Sequence, residues 1–321
     1  MPVHNGSSTL DRALRSLLEQ HRRDFGLIVV DDRSSDSSAE VAEAWAARDP
    51  RIVFSRNERR LGLIGNWRRC FSLARTLFPD AEYFAWASDH DCWEAEWLGT
   101  LVGALDAGPH SVVLAFPRPY GVGRHGPVVS PAGVDTTDVE EPGQRLRMMS
   151  GATSAGYMVY GLFRVHPLER AGPFPCVSMP DRLLLMRLSL YGAFVQADEI
   201  LWHRYVVERP SLSAHQRSTL FLDGAPASAH LPAWLVHGLV LLWELGIRGA
   251  GRPQVGRARG AKYSGLHLWD HFGRRVGGRL RRRRRAFRRF RRPWIRRMQK
   301  APRRMRRRVL RVTGMIGRYL R

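Results

Sequence analysis

Two acids one residue apart, Asp89 and Asp91, leave an apolar run in "YFAWASDHDCW". Carboxylates beside a core are costly unless something pairs with them. Alternate residues leaving a strand can set two carboxylates around one centre, and hard cations such as Mg2+ take oxygen ligands and bridge phosphates. Taken alone, the pair reads equally well as exposed acids at a strand end. A second cluster, Asp31-Asp32, follows "LIVV". Ligands of open α/β sheets collect at the carboxyl ends of strands, although a solvated turn with Asp and Ser caps is the plain alternative. Asp181 stands after Pro180 at a helix start. Asp is a common cap there, and a carboxylate at a cleft mouth can also act as a general base toward a hydroxyl. His203 and Arg204, in "HRYV", have the chemistry of a metal ligand and a phosphate clamp. An exposed strand-edge pair explains them equally well.

These side chains need a scaffold that brings distant acids to one place. Short apolar runs alternate with helical patterns, which predicts an α/β protein with a mostly parallel sheet flanked by helices. Strands are expected at 27–30, "RIVFS", "EYFAWA" and "SVVLAFP", with helices over 39–47, 61–78 and 93–107 between them. Asp36 or Ser37 would cap the first of these helices. Residues 118–143 are rich in Gly, Pro and Asp and read as a loop. A second block follows, with "GYMVYGLFRV" as strand, "DRLLLMRLSLYG" as helix stopped by Gly192, and "FVQADEILWHRYV" as strands with a turn. "MPVHN" reads as the end of a first strand whose beginning is missing, so a shortened inner strand is expected.

Composition divides the chain. It has 321 residues and a formal charge of +23. Residues 248–321 carry 28 Lys/Arg against the single acid Asp270, which leaves 1–247 at −4. The basicity belongs to a tail. Cys70, Cys92 and Cys176 are far apart with no CxxC pair, which excludes a zinc or disulfide framework and suits a reducing cytoplasm. The first residues lack the apolar stretch of a secretory signal. The most apolar window, 231–247, is shorter than the roughly 20 residues that span a bilayer and contains His237 and Glu244. It reads as a buried or interfacial helix.

In order, "MPVHN", "LIVVDDRSSDSS", "NERRLGLIGNW", "YFAWASDHDCW", "GYMVYGLFR" and "PDRLLLMRLSLYGAF" resemble the family 2 glycosyltransferases with the GT-A fold, a Rossmann-related nucleotide-binding architecture. The resemblance covers residues 1–206, with a nucleotide-binding half over 1–117 and an acceptor half over 144–206. Beyond it, composition predicts a helical extension over 207–247 and an arginine-rich amphipathic or disordered tail, 248–321. The resemblance implies that Pro2, Val3 and Asn5 line the nucleotide pocket, with Asp32 and Asp31 meeting the base. Gly62 and Asn66 match the helix that closes over the nucleotide. Asp89 and Asp91 match the DxD motif, Asp91 as the direct ligand of Mg or Mn and Asp89 toward the ribose or a metal-bound water. Asp181 falls where the family carries its catalytic base. The implied activity is inverting transfer from a nucleotide-diphosphate sugar to a hydroxyl acceptor; a carbohydrate or lipid-linked acceptor in cell-envelope or polysaccharide synthesis is expected only from the membrane location that the tail suggests. Met179-Pro180-Asp181 replaces the more usual acid pair, so the base rests on one carboxylate.

In the tail, Phe287, Phe290 and Trp294, and then Met305, Val309, Val312, Ile316 and Tyr319, keep helical spacing between arginines. An apolar stripe on a cationic helix is what lies on an anionic membrane. Nucleic acid would attract the same charge, and a disordered arginine run is the simplest alternative. The expected protein is cytoplasmic, peripheral on the inner face of the plasma membrane. The competing readings are a nucleotidyltransferase on a similar sheet and a non-enzymatic nucleic-acid-binding protein that acts through its tail.

Overall fold

The computed structural model describes residues 1–108, 111–123, 126–128, 133–152, 155–172, 174–205, 222, 227–248 and 255–273. The chain forms two compact units, Met1–Leu268 and Trp269–Arg321. The second is described only over 269–273, so the apolar stripe expected in the tail lies outside the described residues.

Three parallel strands open the fold, in the order β1 (Pro2–Val3), β2 (Leu27–Asp31), β3 (Ile52–Arg56). Every residue of β2 is buried, as a continuous apolar run between helical layers requires. Helix α1 (Ser7–Leu18) crosses from β1 to β2 and buries Leu10, Ala13, Leu14, Leu17 and Leu18, one face at helical spacing. Helix α2 (Ser38–Ala46) returns to β3, and α3 (Gly62–Leu77) follows. The short β1 is tied along β2: the Met1 ammonium donates to Ile28 O at 2.6 Å, and Val30 N–H donates to Met1 O at 2.9 Å. A cavity of about 960 Å3, lined by Met1, Leu27, Ile28, Phe84, Trp97 and Val165 among others, opens beside the first residues of β2. That is the opposite end of β2 from Asp31.

The remaining strands build a second, mixed sheet ordered β4 (Tyr83–Ala85), β8 (Leu162–Arg164), β6 (Val112–Gly123), β9 (Ala193–Tyr205), β5 (Cys92–Trp93), with β7 (Gly126–Val128) on β6. Here the expectation of a mostly parallel sheet is corrected. β4 runs antiparallel to β8, and only β6 and β9 pair in parallel. Helix α4 starts at Trp97, not residue 93, because Cys92 and Trp93 pair with His203 and Trp202 as β5. The expected loop over 118–143 is strand at its start, since β6 continues to Gly123. β9 is one strand where a turn was expected. Asp198 stays in the sheet, paired with Arg118 at 3.0 Å, and register shifts near Phe116–Arg118 absorb the mismatch.

Helix α5 (Pro142–Gly151) precedes "GYMVYGLFRV", which begins as a 3-10 turn (Ala155–Tyr160) and becomes strand only at β8. Gly161 makes the switch possible, because a Cβ there would fall 2.4 Å from Ala115 O. Helices α6 (Val165–Ala171) and α7 (Pro180–Leu188) complete this half. Helix α8 (Ala233–Leu241) continues as a π-helix (Leu242–Arg248), and a further helix, α9, covers 257–268 of the first unit. No described helix is long and apolar enough to cross a membrane.

Candidate active site

Three loops meet at the carboxyl end of β2. The loop after β2 is closed by Asp31, fully buried, whose carboxylate accepts from Ser34 N–H at 3.2 Å and pairs with Arg56 at 3.1 Å. Asp36 ties two helix starts together. It accepts from Ser7 N–H, the first residue of α1, and from the Ser38 N–H and hydroxyl at the start of α2. Burial works to raise its pKa, but the bonds from Ser38 and Ser7 outweigh it and lower the value to about 2. The expected cap of α2 thus serves α1 as well.

Asp32, also buried, turns toward α3. It accepts from Leu61 N–H at 2.6 Å, Gly62 N–H at 2.8 Å and Asn57 Nδ2 at 2.9 Å. Asn57 also donates to Asn66 Oδ1, and Asn66 donates to Val30 O. Gly62 has φ 73, a left-handed conformation that glycine adopts without strain. Asp32, Gly62 and Asn66 therefore form one internal network that fixes the start of α3. Neither Asp31 nor Asp32 presents its carboxylate to solvent, so the expected contact with a base is not made by free carboxylates. Their oxygens are spent on loop N–H groups and Arg56. Val3 is buried in β1 and Pro2 partly so, while Asn5 is exposed, accepting from Ser35 N–H at 2.8 Å.

Asp89 leaves β4 and lies against the β1–α1 loop: a Cβ on Gly6 would fall 2.5 Å from its Oδ2. His90 stands between the two acids, its Nδ1 2.7 Å from Asp89 Oδ1 and its Nε2 3.9 Å from Asp91 Oδ1. Asp91 is 1% exposed. It accepts from Trp202 Nε1–H at 3.1 Å and from Tyr205 N–H at 2.9 Å. The accessibility of the pair runs opposite to the expected division of labour, with Asp89 the more open carboxylate. Arg12 of α1 braces the loop, donating to His90 O and stacking its guanidinium 3.9 Å from the Tyr205 ring centroid.

Side chains alternate along β9, which decides its candidates. Trp202 points at Asp91, and exposed Arg204 shares that face. His203 points the other way, bonded to Glu94 and edge-on to Tyr120. Expected as a metal ligand, it lies on the face of the strand away from the acids. Among the described residues no three His, Cys, Asp or Glu side chains converge as a metal site. Two carboxylates can still hold Mg2+ when substrate phosphates complete the shell, and the Asp89–Asp91 pair fits that pattern.

Asp181 opens α7 after Met179, whose φ of 54 is left-handed. Its carboxylate faces the 3-10 turn, where a Cβ on Gly156 would fall 1.9 Å from Oδ2. Burial raises its pKa. The same turn ends in Tyr160, whose ring packs on Trp202 at 5.1 Å and on Trp67 at 5.5 Å. The Tyr160 phenol is pushed up first by burial and then by Asp91, Asp181 and Asp89, with Arg204 opposing. One hydroxyl thus lies within electrostatic reach of all three candidate acids and the candidate clamp. Sequence reasoning passed over Tyr160, Gly156, Asn57, Trp202 and Arg12. Only Asn57 carried a signal, as a polar residue directly after the end of β3. Among the described residues, the three non-glycines with left-handed backbone, Asn5, Arg33 and Met179, all sit in the loops that frame this region, where such strain tends to gather.

Comparison with known proteins agrees with this fold. Residues 1–160 match the Glycosyl transferase family 2 model. A relative, uncharacterized protein MT1568 of Mycobacterium tuberculosis (strain CDC 1551 / Oshkosh), is 43% identical over 75 residues, which span 23% of each chain. S. aureus TarS 1-349 in complex with UDP-GlcNAc superposes with a TM-score of 0.53 at 17% identity, covering 78% of this chain and 73% of that one. A longer TarS structure gives 0.51 at 17% identity and covers 84% of this chain and 52% of that one. At such identities the likeness shows the shared fold. The chain belongs to glycosyl transferase family 2, through a domain at residues 1–160 on a GT-A fold.

Proposed function

We propose that the protein transfers a sugar from a nucleotide-diphosphate donor to a hydroxyl acceptor with inversion at the anomeric carbon. The observation that carries this reading is the 3-10 turn 155–160, which lies against Asp181 at Gly156 and packs Tyr160 on Trp202, the donor to Asp91. Asp181, with its pKa raised by burial, takes the proton of the acceptor hydroxyl as that oxygen bonds to the anomeric carbon. The bond from that carbon to the diphosphate breaks on the opposite face. Arg204 lies on the side where the leaving charge collects. Asp89 and Asp91 would hold a divalent cation, Mg2+ or Mn2+, which supplies neutralising charge to a departing diphosphate. The nucleotide lies over the loops that Asp31, Asp32 and Asp36 shape, between Asn5 and the start of α3. TarS, a protein of the same fold, is seen with UDP-GlcNAc, which supports a nucleotide-sugar donor here.

Family membership favours this reading over a nucleotidyltransferase. We further place the protein at the inner face of the plasma membrane, held by the basic residues of 248–321, with a carbohydrate or lipid-linked acceptor of the cell envelope. Thermal stabilisation by a panel of nucleotide sugars, with and without Mg2+ or Mn2+, tests the donor assignment, since a ligand of the folded state raises its stability by mass action. Stabilisation by one donor is expected. A flat response across the panel would remove the proposal.

A further inference from the structure

An apolar ridge runs along the outer face of α8 and its π-helical continuation. Leu239, Trp243 and Ile247, four residues apart, are 48%, 54% and 56% exposed. Leu231, just before the helix, is 45% exposed. Their opposite face is anchored: Val236, Leu241 and Leu245 are buried, and His237 Nε2 lies 2.9 Å from Ser178 O. Glu244, the single acid between residues 233 and 248, turns inward to Arg187, so the ridge carries no negative charge. Cations border it instead. Arg248 ends the helix and is exposed, Arg257 donates to its carbonyl at 3.2 Å, and Arg259 and Lys262 are exposed on the neighbouring α9. The two helices are locked together, since a Cβ on Gly260 would fall 2.6 Å from Leu245 Cβ.

An exposed contiguous apolar strip marks an interaction surface. Its rim of cations, Arg248, Arg257 and Lys262, selects an anionic partner, while Arg259 turns toward Glu141. A tryptophan at its centre suits the boundary between headgroup and acyl chain. The helix is too short to cross, so it would lie in the interface plane. We propose that this ridge is a second membrane contact, built into the folded body, that inserts Leu239, Trp243 and Ile247 into an anionic phospholipid bilayer. It does not depend on the arginine tail, whose contribution is electrostatic and screened by salt, nor on the sugar-transfer reading.

The test is co-sedimentation of the full chain with vesicles of phosphatidylcholine and phosphatidylglycerol at 0.1 M and 0.5 M NaCl. Wild type is expected to keep a salt-resistant bound fraction. The variant Leu239→Ser/Trp243→Ser/Ile247→Ser is expected to lose at least ~30-fold in partitioning at 0.5 M NaCl, given the apolar area removed, with its far-UV circular dichroism and donor-induced thermal shift unchanged. Independently, Trp243→Phe is expected to remove most of the fluorescence quenching that lipids brominated near the headgroup cause in wild type. Equal partitioning of both proteins at high salt overturns the proposal. So does a wild type released completely by 0.5 M NaCl, which would leave the tail as the membrane contact. A triple variant that binds vesicles normally but loses a dimer seen by light scattering for wild type would assign the ridge to a second copy of the chain.

Discussion

The acids of the nucleotide half and those around Tyr160 have the same chemistry and opposite surroundings. Asp32 meets three donors from its own fold, and Asp31 meets the Ser34 N–H and Arg56. Asp181 sits where burial raises its pKa. Hydrogen bonds to a carboxylate stabilise its charge, while desolvation makes it more basic. The first group is built to hold loops. Asp181, in the mechanism proposed above, takes a proton.

Substitutions should separate the two groups. Asp181→Asn is expected to lower turnover by about 10³-fold or more, within the range for a lost general base, while donor affinity changes little. Donor titration and single-turnover transfer, measured together, check this, and weakened donor binding with normal transfer would place Asp181 among the structural acids. Asp32→Ala should do the reverse, lowering stability by ~3 kcal/mol because buried donors at Leu61, Gly62 and Asn57 lose their acceptor. Urea denaturation reads that loss. Asp91 sits between the classes. Asp91→Ala should cost about 2 kcal/mol through the stranded Trp202 and Tyr205 N–H groups, as well as the response of turnover to Mg2+ or Mn2+. Loss of the metal response with full stability would make it a ligand alone.

Two pH measurements sharpen the same contrast. Protonated Asp181 cannot accept a proton, so kcat/KM should fall as pH drops through its pKa. Because burial raises that pKa, the acid limb should lie above that of an ordinary aspartate and vanish in Asp181→Asn. Asp36 behaves oppositely. Its pKa is lowered to about 2 in the fold, so its stabilisation is complete above the unfolded aspartate pKa and is lost as pH falls toward 2. Asp36→Asn should cost about 1 kcal/mol or less at neutral pH, since the group is largely solvated, and progressively less as pH falls through about 2.

Apolar periodicity made the first half legible. α2, β3 and α3 begin and end within one or two residues of their expected positions, because each is bounded by turn residues and packs on neighbours close in sequence. The second half was less so. Whether β4 runs parallel or antiparallel depends on β8, which lies some eighty residues on, and no local pattern encodes that pairing. "GYMVYGLFRV" has strand composition, yet its first five residues belong to a 3-10 turn that brings Gly156 to Asp181. The candidate acids were readable from type and position. Which of their oxygens were already committed was not, because the donors come from Leu61, Trp202 and Tyr205, residues whose identity says nothing about carboxylates.

The attachment of α8 bears on how the enzyme can be shortened. Arg187, deep in the helix that begins with Asp181, meets Glu244, and His237 meets Ser178 three residues ahead of the candidate base. The family match ends at residue 160, before either contact. Trimming to that match would remove Asp181 itself with β8 and β9, whereas trimming to residue 206 would remove the buttress behind the candidate base while sparing the loops at the carboxyl end of β2. Such a fragment should still recognise nucleotide yet fail at transfer, a deficit easily misread as the wrong acceptor.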